Sequence, residues 1–247
     1  MPKHIGIVAV SPEGSALCYR DIFRYASKRL GERGHPVVTL HNLPMKVYVD
    51  AVISENWQAV GDMLSLSASV LAAAGAEFCI VPDNLLQYGV HLAEHNSPIP
   101  WLTMTDLVCE AVKNDGCSAV GIIAAKLVAF GSTYQTSLGL KGVRVVAPDE
   151  KSATMIDDIL FRELLAGIVR PESKRRVLDV VAQFKERGCD GIVLACTEAP
   201  LLIDQSDSPL PIYDSAKLLA EGALRVAIGE RPIKAPMKAP TKGPIGS

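Results

Sequence analysis

The sequence predicts an α/β fold made of two similar halves, each a parallel sheet flanked by helices. Three observations carry this. Short apolar, β-branched runs alternate with longer amphipathic stretches. The runs are continuous rather than alternating in polarity, as strands buried on both faces require. Several short pieces also recur in the same order in the two halves.

In chain order the strand-like runs are His4–Val10, Pro36–Leu40, Glu77–Val81, Ile99–Leu102, Ala119–Ala124, Val143–Val146, Gly191–Ala195 and Leu210–Tyr213. Between them, helices are expected at about Ser15–Arg33, Trp57–Ala74, Thr105–Asn114, Ser152–Gly167, Glu172–Arg187 and Ser215–Ile228. Repeated strand-then-helix order implies right-handed crossovers between parallel strands. Gly34, Gly75 and Gly188 stand where left-handed C-terminal caps belong.

The repeat has four pieces. Gly6-Ile7-Val8-Ala9 corresponds to Gly121-Ile122-Ile123-Ala124, and Tyr19 follows Gly6 at the distance at which Tyr134 follows Gly121. The stretch Gly75–Asn84 lies over Gly188–Thr197, and Ser97-Pro98-Ile99-Pro100 matches Ser208-Pro209-Leu210-Pro211. A duplicated unit implies a pseudo-two-fold axis. Asp83 and Cys196 then occupy equivalent strand ends, where open α/β sheets gather their chemistry.

Bulk properties exclude several classes. The 247 residues are 49% hydrophobic and 21% charged, an ordinary globular balance. A net charge of −2 gives no field to steer nucleic acid or an anionic membrane, so neither is expected as a partner. The apolar part of Met1–Ala9 is too short for a secretory signal, and no run approaches a membrane span. The six cysteines form no CxxC pair and no metal-like cluster, which suits reduced thiols in a cytoplasmic protein. Residues 230–247, rich in Lys and Pro, read as a disordered basic tail.

Cys196 is the leading chemical candidate. It ends an apolar run and precedes Thr197-Glu198-Ala199-Pro200, where free N–H groups at a helix start would lower a thiol pKa. Asp83, between Pro82 and Asn84, is a second acid/base candidate: an apolar pocket would raise its pKa, while helix capping is the structural alternative. Ser11, Ser132 and Thr133 follow equivalent strands and could bind a substrate carboxylate or cap helices. Asn84 and Thr197 have the same two readings. Lys46 and Lys126 are candidate carboxylate contacts, with plain solvation as the alternative. Glu13 and Glu198 read as helix-start charges, Glu198 also as a substrate contact. His91 and His95 have metal-ligand spacing but no third ligand, so no metal is expected. Cys18, Cys79, Cys109, Cys117 and Cys189 read as core residues, and no P-loop or GxGxxG fingerprint is present.

Val193-Leu194-Ala195-Cys196-Thr197-Glu198-Ala199-Pro200-Leu201-Leu202 resembles the second cysteine motif of the aspartate/glutamate racemase superfamily, which also holds hydantoin racemases, maleate isomerases and arylmalonate decarboxylases. Gly75–Phe78, Pro148-Asp149, Arg162–Leu164 and Ser208–Asp214 add to the resemblance, which spans roughly Ile5 to Ile228. It implies two pseudo-symmetric lobes with the active site in the cleft between them, residues 1–97 with 212–229 forming one lobe and 98–211 the other. It also implies a final helix packing back on the first lobe, and a homodimer.

Racemases of this superfamily work with two cysteines on opposite faces of a small carboxylate or amino-acid substrate and use no cofactor. The resemblance assigns the second cysteine to Cys196. The first motif, Cys-Asn-Thr-x-His, falls on Asp83-Asn84-Leu85-Leu86-Gln87, so Asp83 replaces the first cysteine. Ile168 stands where aspartate racemases often carry a substrate-binding lysine, and Leu219 near a usual histidine. Three readings follow. The first is an isomerase acting at a carbon α to a carboxylate, with Cys196 and Asp83 as opposed acid/base groups. The others are a single-cysteine decarboxylase or cis–trans isomerase, and a non-catalytic carboxylate-binding relative.

Overall fold

The structure is a computed structural model that describes residues 1–234. Its first sheet contains β1 (Ile5–Ala9), β2 (Val38–Asn42), β3 (Phe78–Ile80) and β4 (Trp101–Leu102) in the order β2-β1-β3-β4. The second contains β5 (Ala119–Ile123), β6 (Arg144–Val146), β7 (Gly191–Leu194) and β8 (Ile212–Asp214) in the order β6-β5-β7-β8. All pairings are parallel, and the two orders are the same order twice. All eight expected strands form. Their continuous apolar runs are explained by burial: every residue of β1, β3, β5 and β7 is inside. Edge strands β2 and β6 are partly open to solvent.

In each sheet the chain moves outward on one side of the first strand and then to its other side. The crevice at such a switch point opens at the carboxyl ends of the two central strands. The sequence of the fold therefore points Val10–Ser11 and Asp83 from one sheet, and Ala125 and Cys196 from the other, toward their respective crevices.

Helix α1 (Pro12–Leu30) starts earlier and ends sooner than expected. Ser11 caps it by accepting the Gly14 N–H at 3.0 Å, Pro12 suits its first turn, and Gly31 (φ 89°), not Gly34, ends it. Gly75 (φ 95°) and Gly188 (φ 77°) take the expected left-handed form. Four short helices lie between the longer expected ones: α2 (Met45–Ile53), α4 (Gln87–Ala93), α6 (Lys126–Ala129) and α7 (Ser132–Gly139). The remaining helices are α3 (Trp57–Ala73), α5 (Met104–Asn114), α8 (Glu150–Arg162), α9 (Pro171–Glu186) and α10 (Ser215–Ala227).

The lobes exchange helices. After β8 the chain crosses to the first lobe, where Leu219, Ala220, Ala223 and Val226 of α10 pack with Ile5, Ile7, Ile22 and Phe78. After β4 it crosses the other way, and Val108, Cys109 and Val112 of α5 pack with Val120, Ile122, Tyr134 and Val193. Strand pairing places each crossing. Trp101–Leu102 pairs with β3 in the first sheet, and Ile212–Asp214 with β7 in the second, so the crossings follow these strands rather than precede them.

The first residues of the expected tail, from Glu230, make defined contacts. Glu230 pairs with Arg29 at 3.1 Å, Arg231 grips Glu110 with both guanidinium nitrogens, and Ile233 packs on the first-lobe core. Ion pairing holds a stretch whose apolar content alone would not. The remainder of that expectation, 235–247, lies outside the described residues. No described helix is long and apolar enough to cross a membrane.

Candidate active site

A cavity of about 290 Å³ lies where the two crevices meet. That is the lower end of the range for small-molecule sites. Its polar lining comes from both lobes: Ser11, Asp83 and Asn84 from the first, Cys196, Thr197 and Glu198 from the second. Its walls are apolar and include Met45, Tyr48, Val49 and Val52 of α2, Leu127 and Val128 of α6, and Leu160 and Phe161 of α8.

Asp83 follows β3 and is held by its own turn. Its Oδ1 accepts the N–H groups of Leu85 and Leu86 at 2.9 and 3.1 Å. Oδ2 accepts no hydrogen bond from protein among the described residues. Burial pushes the carboxyl pKa from 3.8 up to about 6 against those two hydrogen bonds, and the Glu198 charge adds to the rise. The capping reading and the acid/base reading thus use different oxygens. Gln87 fixes the turn from below: its amide donates to the Val81 and Asp83 carbonyls at 3.2 and 2.8 Å and accepts the Met104 N–H at 2.9 Å.

Cys196 follows β7 and is only partly buried, whereas the other five cysteines are buried. Its thiol donates to Glu198 Oε2 at 3.2 Å. The expected lowering of its pKa is corrected. Burial and the Glu198 carboxylate push the thiol well above its ordinary value, outweighing the Glu198 and Ala199 N–H groups that favour a thiolate. The physical reason is local: only a short 3₁₀ turn, Ala199–Leu201, follows the cysteine instead of an α-helix, and an acid stands beside it. Cys196 is a proton-bearing thiol at rest.

Glu198, expected as a helix-start charge or a substrate contact, is the centre of a hydrogen-bonded knot. It is only 4% exposed. It accepts Ser11 Oγ at 2.8 Å across the lobes, Thr197 Oγ1 at 2.8 Å, and the Cys196 thiol. The hydroxyl protons of Ser11 and Thr197 are therefore directed at Glu198. Gly14 allows this closeness, since a Cβ there would meet Thr197 Oγ1 at 2.4 Å.

Asn84 is bound into a second interlobe chain. Tyr134 Oη donates to its Oδ1 at 2.6 Å, its amide donates to Ser215 Oγ at 3.1 Å, and Ser215 donates to the Leu194 carbonyl at 2.7 Å. Tyr134 and Ser215 gave no functional signal in the sequence. Tyr134 is fully buried, whereas Tyr19, at the matching spacing in the other half, is exposed.

Four expected contact residues lie elsewhere. Lys46 turns to Asp50 at 2.7 Å on the exposed face of α2. Ser132 and Thr133 begin α7 and do not line the cavity, because α6 is inserted between β5 and α7 and presents Leu127 and Val128 instead. Lys126 pairs with Glu150 and Thr154. Leu219 is a core residue of α10, and Ile168 is exposed outside the cavity lining. His91 faces Glu94 at 3.9 Å, and no group of three or more His, Cys, Asp or Glu side chains placed to hold a metal ion occurs among the described residues.

A doubled α/β sheet with one cavity between equivalent strand ends, holding a thiol and a carboxyl, defines a two-lobed, pseudo-symmetric class of enzyme fold. The chain belongs to the Asp/Glu/Hydantoin racemase family, whose model matches residues 7–223. Among its relatives is the broad specificity amino-acid racemase RacX of Bacillus subtilis (strain 168), 22% identical over 229 residues, 89% of this chain and 96% of that one. An aspartate racemase homologue from Pyrococcus horikoshii OT3 superposes with a TM-score of 0.82 at 24% identity, covering 92% of this chain and 100% of that one. Picrophilus torridus aspartate racemase superposes with a TM-score of 0.75 at 18% identity, covering 94% and 96%.

Proposed function

We propose that this protein racemises or epimerises a small acid at the carbon α to its carboxylate, with Asp83 and Cys196 as the opposed acid/base pair. The observation that carries the reading is that these two groups, at equivalent strand ends of the two lobes, line one cavity.

The steps follow from their resting states. Above pH 6 Asp83 is a carboxylate, and its Oδ2 takes the α-proton. The C–H electron pair passes into the substrate carboxylate. The Cys196 thiol gives its proton to the opposite face, and the charge left on sulfur is met by the Glu198 and Ala199 N–H groups. Reversal begins with Asp83 protonated and Cys196 ionised. Every proton moves between substrate and side chains, so the reading needs no cofactor. Main-chain N–H groups of Asn84 and Thr197, at the two equivalent turns, are the candidates to hold the substrate carboxylate.

Exchange of the α-hydrogen in D₂O, followed by NMR over a panel of D- and L-amino acids, tests this. Racemisation, followed by chiral analysis of the same samples, is expected to vanish in Cys196→Ala and in Asp83→Asn, with exchange surviving at most for the one enantiomer whose α-hydrogen faces the remaining group. Normal racemisation in either variant removes that residue's role. A second reading is favoured by one observation, the thiol that rests protonated. Such a group can quench a carbanion formed by decarboxylation, and CO₂ release from a substituted malonate would reveal it.

A further inference from the structure

We propose that the substrate is a neutral amino acid with an apolar side chain, not aspartate or glutamate. This deepens the racemase reading and rests on it for the reaction, but the ligand class stands on the cavity alone.

Three features argue for it. First, the charged side chains lining the cavity, Asp83 and Glu198, are both acidic, and no lysine, arginine or histidine lines it among the described residues. A side-chain carboxylate would enter without a cationic partner and beside two acids, which is the costliest way to bury a charge. Second, the nearby cations are committed elsewhere, Lys46 to Asp50 and Lys126 to Glu150. The neighbouring hydroxyls of Ser11 and Thr197 already donate to Glu198. Third, the apolar wall continues outward to the rim, where Ile53, Leu127 and Phe161 line the cavity yet remain 75%, 64% and 54% exposed. Apolar side chains left open at a cavity mouth have a use if an apolar ligand, or the closing of the mouth over one, covers them. A zwitterion with an apolar side chain adds no net charge between the two acids, and its ammonium offsets them. An aspartate or glutamate adds one negative charge in the same place.

The test is a comparison of kcat/KM for α-hydrogen exchange with leucine, methionine and phenylalanine against aspartate and glutamate, each as both enantiomers. A ratio of about 100 or more in favour of the apolar group is expected, the scale at which a pocket rejects a group that it leaves unpaired. Equal or better exchange of aspartate or glutamate overturns the substrate class and leaves the racemase reading intact. No exchange with any of them fails the racemase reading, and binding then decides the class: thermal stabilisation by phenylacetate but not succinate supports it, and the reverse, or neither, overturns it. Leu127→Lys, at an exposed rim position that tolerates charge, should shift the ratio at least tenfold toward aspartate. An unchanged ratio in a folded Leu127→Lys protein counts against the wall as the determinant.

Discussion

In the proposed reaction Asp83 has two opposed properties, because the pocket that would make its carboxyl a useful base also makes it costly. Its ordinary pKa of 3.8 rises to about 6 in the fold. Below pH 3.8 it is neutral in folded and unfolded chains alike and the burial costs nothing. Between pH 3.8 and 6 the unfolded chain ionises first, so stability is lost as pH rises, by up to about 3 kcal/mol at about 1.4 kcal/mol per tenfold change in proton affinity. Asp83→Asn keeps an Oδ1 to accept the Leu85 and Leu86 N–H groups and removes the charge. It should raise Tm at pH 8, leave it nearly unchanged at pH 4, and abolish racemisation. Equal Tm differences at both pH values would show that the carboxyl is not penalised by burial. The same ionisation sets the activity profile: kcat/KM should fall as pH drops through about 6, since the working pair carries one proton and Asp83 gains a second. Enantiomers have equal free energy, so kcat/KM must match in the two directions. The unlike groups should show themselves as unequal kcat balanced by unequal KM. Glu198→Gln keeps most of the knot but removes the charge that raises the thiol. It should bring the pH at which Cys196 reacts with iodoacetamide downward, and an unchanged alkylation profile would dissociate the two groups.

At the level of elements, the first turn of α1 is fitted against the loop after β7 with no space to spare. Gly14→Ala would set a Cβ 2.4 Å from Thr197 Oγ1 and 2.8 Å from Ser11 Oγ. Overpacking of this kind costs about 1–3 kcal/mol, so a Tm loss of several degrees is expected, with a fall in kcat as Thr197 and Glu198 are displaced. A variant with wild-type Tm would mean that the loop yields freely. The same elements show what a sequence discloses. Strands were legible because burial on both faces leaves a local, continuous apolar run. The place of Asp83 and Cys196 at the cavity was legible because both end such runs. The knot around Glu198 was not, since Ser11 and Glu198 meet only through folding of distant segments. The cavity walls were hidden for a related reason: α2 and α6 are short helices, and nothing local in their residues tells a core-facing side from a side that faces a cavity. Lys46 misled because a lysine near a strand end can as easily turn to a neighbouring acid four residues on.

At the level of the molecule, the doubled order β2-β1-β3-β4 and β6-β5-β7-β8 makes each lobe a copy of the other, and the crossing of α5 and α10 makes neither lobe complete alone. Unfolding by urea should therefore be a single transition by far-UV CD and by tryptophan fluorescence, although Trp57 and Trp101 both report from the first lobe. Separate transitions would mean that the exchanged helices do not couple the lobes. Removing α10 by ending the chain at Asp214 should leave Ile5, Ile7, Ile22 and Phe78 uncovered and the protein aggregated. This exchange also sets an order of events during synthesis. The amino-terminal half leaves the ribosome with its core open, and it stays open until Leu219, Ala220 and Ala223 have been made, so the nascent first sheet must wait, with its apolar face unprotected, while the whole second sheet and its helices are synthesised.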